Sequence, residues 1–313
     1  MNGSELIAKF LVSKGVERIF CITGAGNLAL VDAIKNTTSI ELIYSHHEQA
    51  AVMEAQGYSR VKGTPGVVLV TTGGGTSNAI TGLLSAYLDS IPVILISGNE
   101  SSFHFRNEYQ MRGFGVQGFD SSKSTNNISK FSHRVESKYE LASILEKAFS
   151  IAIQGRKGPV HLDIPMDIQR VTLDNCELEI EEKSNIESNN ESTIFAKSFI
   201  NNFNTSGKPL FYIGNGLRNS KYLEKLISFC TKYYVPYILS WSAIDLSPSD
   251  DKNNLGRIGI YGDRASNFTL QKCKTLLCLG TRLAIPQVGY DISDFARKAK
   301  KWIVEIDENE CEK

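Results

Sequence analysis

Short apolar runs alternate with longer stretches of mixed polarity from residue 1 to about residue 170. Glu41-Leu42-Ile43-Tyr44 is one such run. Pro65-Gly66-Val67-Val68-Leu69-Val70-Thr71-Thr72 and Pro92-Val93-Ile94-Leu95-Ile96-Ser97-Gly98 are longer and carry no polar alternation. Continuous runs of this kind mark strands covered on both faces, as in parallel sheets. Between them the pattern predicts helices over Leu28 to Ile34, from His46 through Arg60, and from Ala79 to Leu88. Strands alternating with helices throughout predict an α/β domain, doubly wound around a parallel sheet, over residues 1–172.

The pattern then lapses. Asp174 to Glu191 holds seven acids and one lysine among Ser and Asn, with almost no apolar periodicity, and reads as a solvated linker over 173–192. Order resumes in a second doubly wound, Rossmann-like domain over 193–313. Its predicted strands are Lys208 to Ile213, Val235 to Leu239, Thr275 to Gly280 and Lys301 to Asp307, with a helix over Ser220 to Tyr233. The turn Gly214-Asn215-Gly216 follows the first of these strands, and Asn219 stands where a dinucleotide fingerprint has its third glycine. A ligand-free strand-to-helix turn fits that sequence equally well.

Candidate chemistry concentrates in the first domain. Glu48, in His46-His47-Glu48-Gln49-Ala50-Ala51, is a carboxylate in the first turn of a helix just past the carboxyl end of a strand. Ligands bind there in open α/β sheets, and the same acid would also complement the helix dipole. Gly73-Gly74-Gly75 opens another helix and, taken alone, suggests a phosphate on a helix N-terminus. The five histidines read as ordinary surface or core residues, and catalysis is assigned to none of them.

Composition narrows the partners. Lys+Arg and Asp+Glu are both 34 in 313 residues, so no charge field points to nucleic acid or a membrane surface. No apolar run reaches the roughly 20 residues of a membrane span, and the N-terminal stretch lacks the sections of a signal peptide. The six cysteines show no CxxC spacing, which predicts reduced thiols in a cytoplasmic protein and no metal site.

The order of these segments resembles the thiamine-diphosphate enzymes, most closely the acetolactate synthase group. Gly15 to Phe20, His47 to Ala51, Gly57-Tyr58-Ser59-Arg60, Gly66 to Asn78, Asp89 to Val93 and Gly158 to Pro165 carry the resemblance. It implies a thiamine-diphosphate-binding fold for the first domain, with Glu48 hydrogen-bonding the cofactor's aminopyrimidine ring. It also implies cofactor contacts at Thr23, Gly24, Gly73, Gly74 and Asn78, and an active-site role for Gln117. Val116 replaces the group's usual phenylalanine and Gly74 a common proline, so acceptor specificity and loop stiffness are expected to differ.

Arg156, Gly214, Gly216, Gly259 and Arg282 match positions where the group meets FAD, a structural cofactor there. The group's Mg²⁺ and diphosphate are held in a third domain by a Gly-Asp-Gly motif. Gly262-Asp263-Arg264 lacks the second glycine, so that domain is expected from elsewhere, in a longer chain or a partner. The resemblance implies carboligation or decarboxylation of a 2-keto acid in a self-associating protein. Transfer to a keto-sugar or other acceptor, and a non-catalytic flavin- or nucleotide-binding role, are the alternatives.

Overall fold

The structure is a computed structural model describing residues 1–105, 112–173 and 190–312. It divides into two compact units, Met1–Glu182 and Lys183–Lys313. Residues 174–189 of the expected linker lie outside the described residues.

In the first unit, strands β1 (Arg18–Cys21), β2 (Glu41–Tyr44), β3 (Gly66–Val70), β4 (Val93–Asn99), β5 (Phe131–Arg134) and β6 (Val160–Pro165) form one sheet. Its order is β2-β1-β3-β4-β6-β5, and every pairing is parallel. Helices cover both faces: α1 (Gly3–Ser13), α2 (Leu28–Thr37), α3 (Glu48–Lys62), α4 (Gly74–Leu88), α5 (Ser121–Thr125), α6 (Leu141–Ile153) and α7 (Met166–Arg170). The alternation of β3 shows why its sequence had no polar positions. Val67 and Leu69 enter one core with Leu6, Phe10, Leu30 and Ile34, while Val68 and Val70 enter the other with Ala51, Ala55, Ala79 and Leu83.

That second core draws α3 and α4 close together. It is lined by alanines, and a side chain on Gly82 would fall 2.7 Å from Val52 Cβ. The buried Gln56 Nε2 donates to the Gly82 carbonyl at 3.0 Å and pins the two helices in register. Helix α4 starts at Gly74, not at the expected Ala79, because Gly73 turns the chain with φ +67° and the following glycines join the first helical turn.

In the second unit β7 (Pro209–Ile213), β8 (Tyr237–Leu239), β9 (Asn254–Arg257), β10 (Thr275–Leu279) and β11 (Lys300–Val304) form a parallel sheet of order β11-β10-β7-β8-β9. Its helices include α8 (Asn190–Ser206), α9 (Leu223–Tyr233) and α10 (Arg264–Lys272). The sequence reading had no α8. Phe195, Phe199 and Phe203, four residues apart, make one face of this helix, and Trp302 meets Phe195 and Phe199 at ring-centroid distances of 5.4 and 5.7 Å. Helix α9 begins three residues later than expected, after a turn in which Asn219 takes φ +61°. Asn is among the few side chains that adopt this conformation readily, and so it can stand in for a glycine.

Candidate functional site

The connection after β1 leads to β2 on one side and the connection after β3 leads to β4 on the other, so the winding reverses between β1 and β3. At such a reversal the loops at the carboxyl ends diverge and leave a crevice, where α/β proteins bind ligands. The segment after β1 holds Thr23, Gly24 and Gly26, and the loop Thr71 to Gly73 after β3 runs into Gly74 and Gly75 at the start of α4. They meet directly: Gly26 N donates to Thr71 Oγ1 at 3.2 Å. Asn27 braces the first loop, its amide nitrogen donating to the Ile22 carbonyl and its amide oxygen accepting from Gly24 N, both at 2.9 Å. Thr23 remains exposed at the rim.

Glu48 enters from β2, the neighbour of β1. His47 caps α3 by accepting from Gln49 N through Nδ1 at 3.1 Å, and this starts the helix so that Glu48 is its first residue. His47 is exposed while Glu48 is 8% exposed, so the acid points into the protein. A first-turn carboxylate serving only the helix dipole has no cause to be buried, since burying an ion is costly. Glu48 Oε2 accepts from Asn78 Nδ2 of α4 at 3.0 Å. A side chain on Gly75 would lie 2.8 Å from Thr71 Cγ2 and 3.4 Å from Oε1, so only glycine fits between Thr71 and the carboxylate.

Gln117 lies in a turn closed by paired hydrogen bonds between Phe114 and Gly118, both 2.7 Å. Its carbonyl oxygen and Cγ come within 2.7 and 2.9 Å of where a Gly73 side chain would start, so the turn rests on the glycine loop. Gln117 and the adjoining Val116 are exposed. Among the expected residues of this domain, Thr23, Gly24, Glu48, Gly73, Gly74, Asn78 and Gln117 therefore fall on loops and helix starts at the carboxyl end of the sheet. Thr71, Asn27 and Glu100 also shape it and were not singled out. For Glu100 the signal was present, an acid directly after a strand's carboxyl end, as with Glu48. Arg156 lies elsewhere in this unit, where its Nε donates to Ser90 Oγ at 2.8 Å.

The second unit has its own reversal between β7 and β10. Gly214 and Gly216 sit there, but their amides donate to the carbonyls of Leu279 and Gly280 at 2.8 and 2.9 Å. The Leu217 and Arg218 amides close the same turn on Gly214 and Asn215. A dinucleotide pyrophosphate held by free glycine amides does not fit this turn. Gly259 pairs with the Asn267 side chain, and Arg282 is exposed in the loop after β10. Asp263, of the incomplete Gly-Asp motif, accepts from Arg257 N at 2.9 Å as a loop brace. Among the described residues no cluster of three or more His, Cys, Asp or Glu is placed to hold a metal, and no helix is long and apolar enough to cross a membrane.

Two parallel α/β units, the first with a buried carboxylate beside glycine-bearing loops at its strand reversal, define a class of doubly wound proteins. Residues 1–118 match the N-terminal TPP binding domain of the thiamine pyrophosphate enzymes, and residues 197–313 match their central domain. The chain belongs to the thiamine pyrophosphate enzyme family. It is 32% identical to the acetolactate synthase large subunit of Haemophilus influenzae over 98% of this chain and 53% of that protein. It is 33% identical to the Buchnera aphidicola large subunit over 90% of this chain and 49% of that protein. For the large subunit of Escherichia coli isozyme 1 the figures are 30%, 100% and 54%. The chain thus spans about half the length of the curated relatives it matches.

Proposed function

We propose that the first domain receives the aminopyrimidine end of thiamine diphosphate at Glu48, as part of an acetolactate-synthase-like enzyme acting on a 2-keto acid. The carrying observation is the burial of Glu48 with Oε2 held by Asn78 and with Gly75, which carries no side chain, next to Oε1. These residues fit the group: a planar nitrogen heterocycle needs a carboxylate acceptor and backbone without side chains along its face.

When bound, thiamine diphosphate supplies the electron sink that lets a 2-keto acid lose carbon dioxide and pass its acyl carbon to an acceptor. The chain's own residues bind and orient. Asn78 fixes one carboxylate oxygen, leaving Oε1 to accept a hydrogen bond from a protonated ring nitrogen and to share that proton. The Thr71–Gly75 loop supports the ring, and Gln117 offers an amide to substrate at the rim. Diphosphate and Mg²⁺ are held by residues beyond these two domains, in the same chain or a partner, and the protein self-associates in the cytoplasm. Val116, exposed where the resembled group has phenylalanine, leaves the acceptor open to differ.

For the central domain, FAD in a structural role is supported by the strand reversal and by exposed Arg282. With the Gly214 and Gly216 amides engaged, side chains and contact with glycine backbone would hold it. Flavin fluorescence titration tests this, and no saturable change at high micromolar FAD removes it. The main reading is tested by C2 proton exchange of thiamine diphosphate bound to wild type and Glu48→Gln. Exchange slowed by about 10²–10⁴-fold in the variant is expected, the scale of a general acid–base contribution. Equal rates would leave Glu48 as a helix-start acid only.

A further inference from the structure

We propose that Glu100 is a positioning residue that shapes the Phe114–Gly118 turn and, through it, holds Gln117 against the Gly73 loop. This rests on the reading of Gln117 as part of the site.

β4 ends by delivering two consecutive buried polar side chains, Asn99 at 1% and Glu100 at 9% exposure. Asn99 anchors the base of the segment. Its Nδ2 donates to Asp163 Oδ2 at 2.6 Å and to the Phe119 carbonyl at 3.0 Å, while its Oδ1 accepts from Glu100 N at 2.9 Å. Asp163 is itself held by Ser97 Oγ at 2.7 Å. The end of the turn at Phe119 is thereby tied to the centre of the sheet.

Glu100 fills the inside of the turn. Its Oε1 accepts from Val116 N at 3.2 Å. Side chains built on Gly115 and Gly118 would fall 2.5 Å and 2.6 Å from Glu100 Cδ and Cγ, so the turn is wrapped on the glutamate stem with no space between. Gly115 takes φ +57°, the kink the wrapping requires. The outer side of the same turn, at Gln117, rests on Gly73, whose loop continues to Gly75 beside Glu48. One side chain thus sets where the turn presents Gln117 to the Gly73 loop.

The test follows backbone hydrogen exchange in the full chain for wild type, Glu100→Ala and Glu100→Gln. In Glu100→Ala the Phe114, Val116 and Gly118 amides are expected to exchange about tenfold faster, while β3 and β6 keep their wild-type rates, because loss of the plug opens the turn locally. Glu100→Gln keeps the stem and one acceptor oxygen and is expected to restore protection. Unchanged exchange in Glu100→Ala, or acceleration spread over β3 and β6, overturns the proposal. Turnover of a 2-keto acid by the thiamine-diphosphate-loaded enzyme gives the coupling: Glu100→Ala is expected to add nothing to the loss caused by Gln117→Ala, and additive losses overturn it. Full turnover in Gln117→Ala alone would instead sink the site reading of Gln117, with exchange still deciding whether Glu100 holds the turn.

Discussion

Glu48 combines two properties that substitution can separate. As a buried first-turn acid its charge is worth at most about 2 kcal/mol to the helix. Glu48→Gln should therefore lower stability by no more than that in urea titration, and the amide can still meet Asn78. Gly73→Ala should do the reverse of a neutral change. It forces a side chain into φ +67° and within 2.7 Å of the Gln117 carbonyl. A cost of about 1–3 kcal/mol, the range for a residue held in a sparsely populated backbone region, is expected in the same titration. At this scale the sequence showed which residue types converge, since Glu48, Asn78 and the glycines stand beside strand ends. It could not show that Oε2 rather than Oε1 is occupied, because that depends on how closely α3 and α4 pack.

At the scale of elements, β4, β6 and α5 enclose a polar chain in an otherwise apolar sheet. Thr125 Oγ1 lies 2.8 Å from His161 Nδ1, His161 Nε2 lies 2.8 Å from Ser97 Oγ, and Ser97 donates to Asp163. Burial pushes the His161 imidazole down to about 3. Burial also pushes the Asp163 carboxyl up to about 6, against the pull of its Ser97 and Asn99 hydrogen bonds. The signs oppose. Between about pH 4 and 6 the unfolded chain binds a proton at His161 that the fold refuses, while the fold keeps one at Asp163 that the unfolded chain releases. Their effects cancel in that window. Asp163→Asn leaves only the histidine, so stability should climb with pH from about 4 to 6 more steeply than in wild type, by about 1.4 kcal/mol per unit. Denaturant titrations at the two ends of the window measure it, and parallel slopes for the two proteins would refute it.

Helix α8, like β9 and α10 of the same unit, is not legible in the sequence pattern. Its Asn- and Ser-rich surface continues the polar composition of the preceding segment, and that masked three phenylalanines at helical spacing. Phe199 meets Phe203, Phe211 and Trp302 at centroid distances of 5.8, 6.3 and 5.7 Å. Phe199→Ala should cost about 2–3 kcal/mol, below the figure for a fully buried ring because this one is half-buried. The strands were legible because double burial leaves an unbroken apolar run, whereas a helix packed by one stripe needs its period counted. At Asn219 the weakened fingerprint agrees with a turn whose Gly214 and Gly216 amides are already engaged, and Asn219 itself takes the left-handed conformation.

At the scale of the whole molecule, four of the described cysteines are buried and Cys311 is exposed. Burial raises Cys21 and Cys273 to about 11, and Cys230 and Cys278 to about 12. With Cys176, outside the described residues, replaced by serine, a thiol reagent at neutral pH should titrate one group quickly and four only after denaturation. More than one fast group would contradict the burial.

The parallel sense of the first sheet has a practical corollary for handling the protein. Because all six strands run the same way, every loop that follows a strand emerges at one rim, and every loop that precedes one emerges at the other. The turn at Gly63, which ends α3 with φ +78° and leads into β3, belongs to the far rim, opposite Gly73. A dye, an affinity handle or a surface tether inserted there would report on the protein or fix its orientation without crossing the rim that carries Glu48 and Gln117. The same insertion one strand-length later, after Val70, would fall among the groups that hold the crevice open.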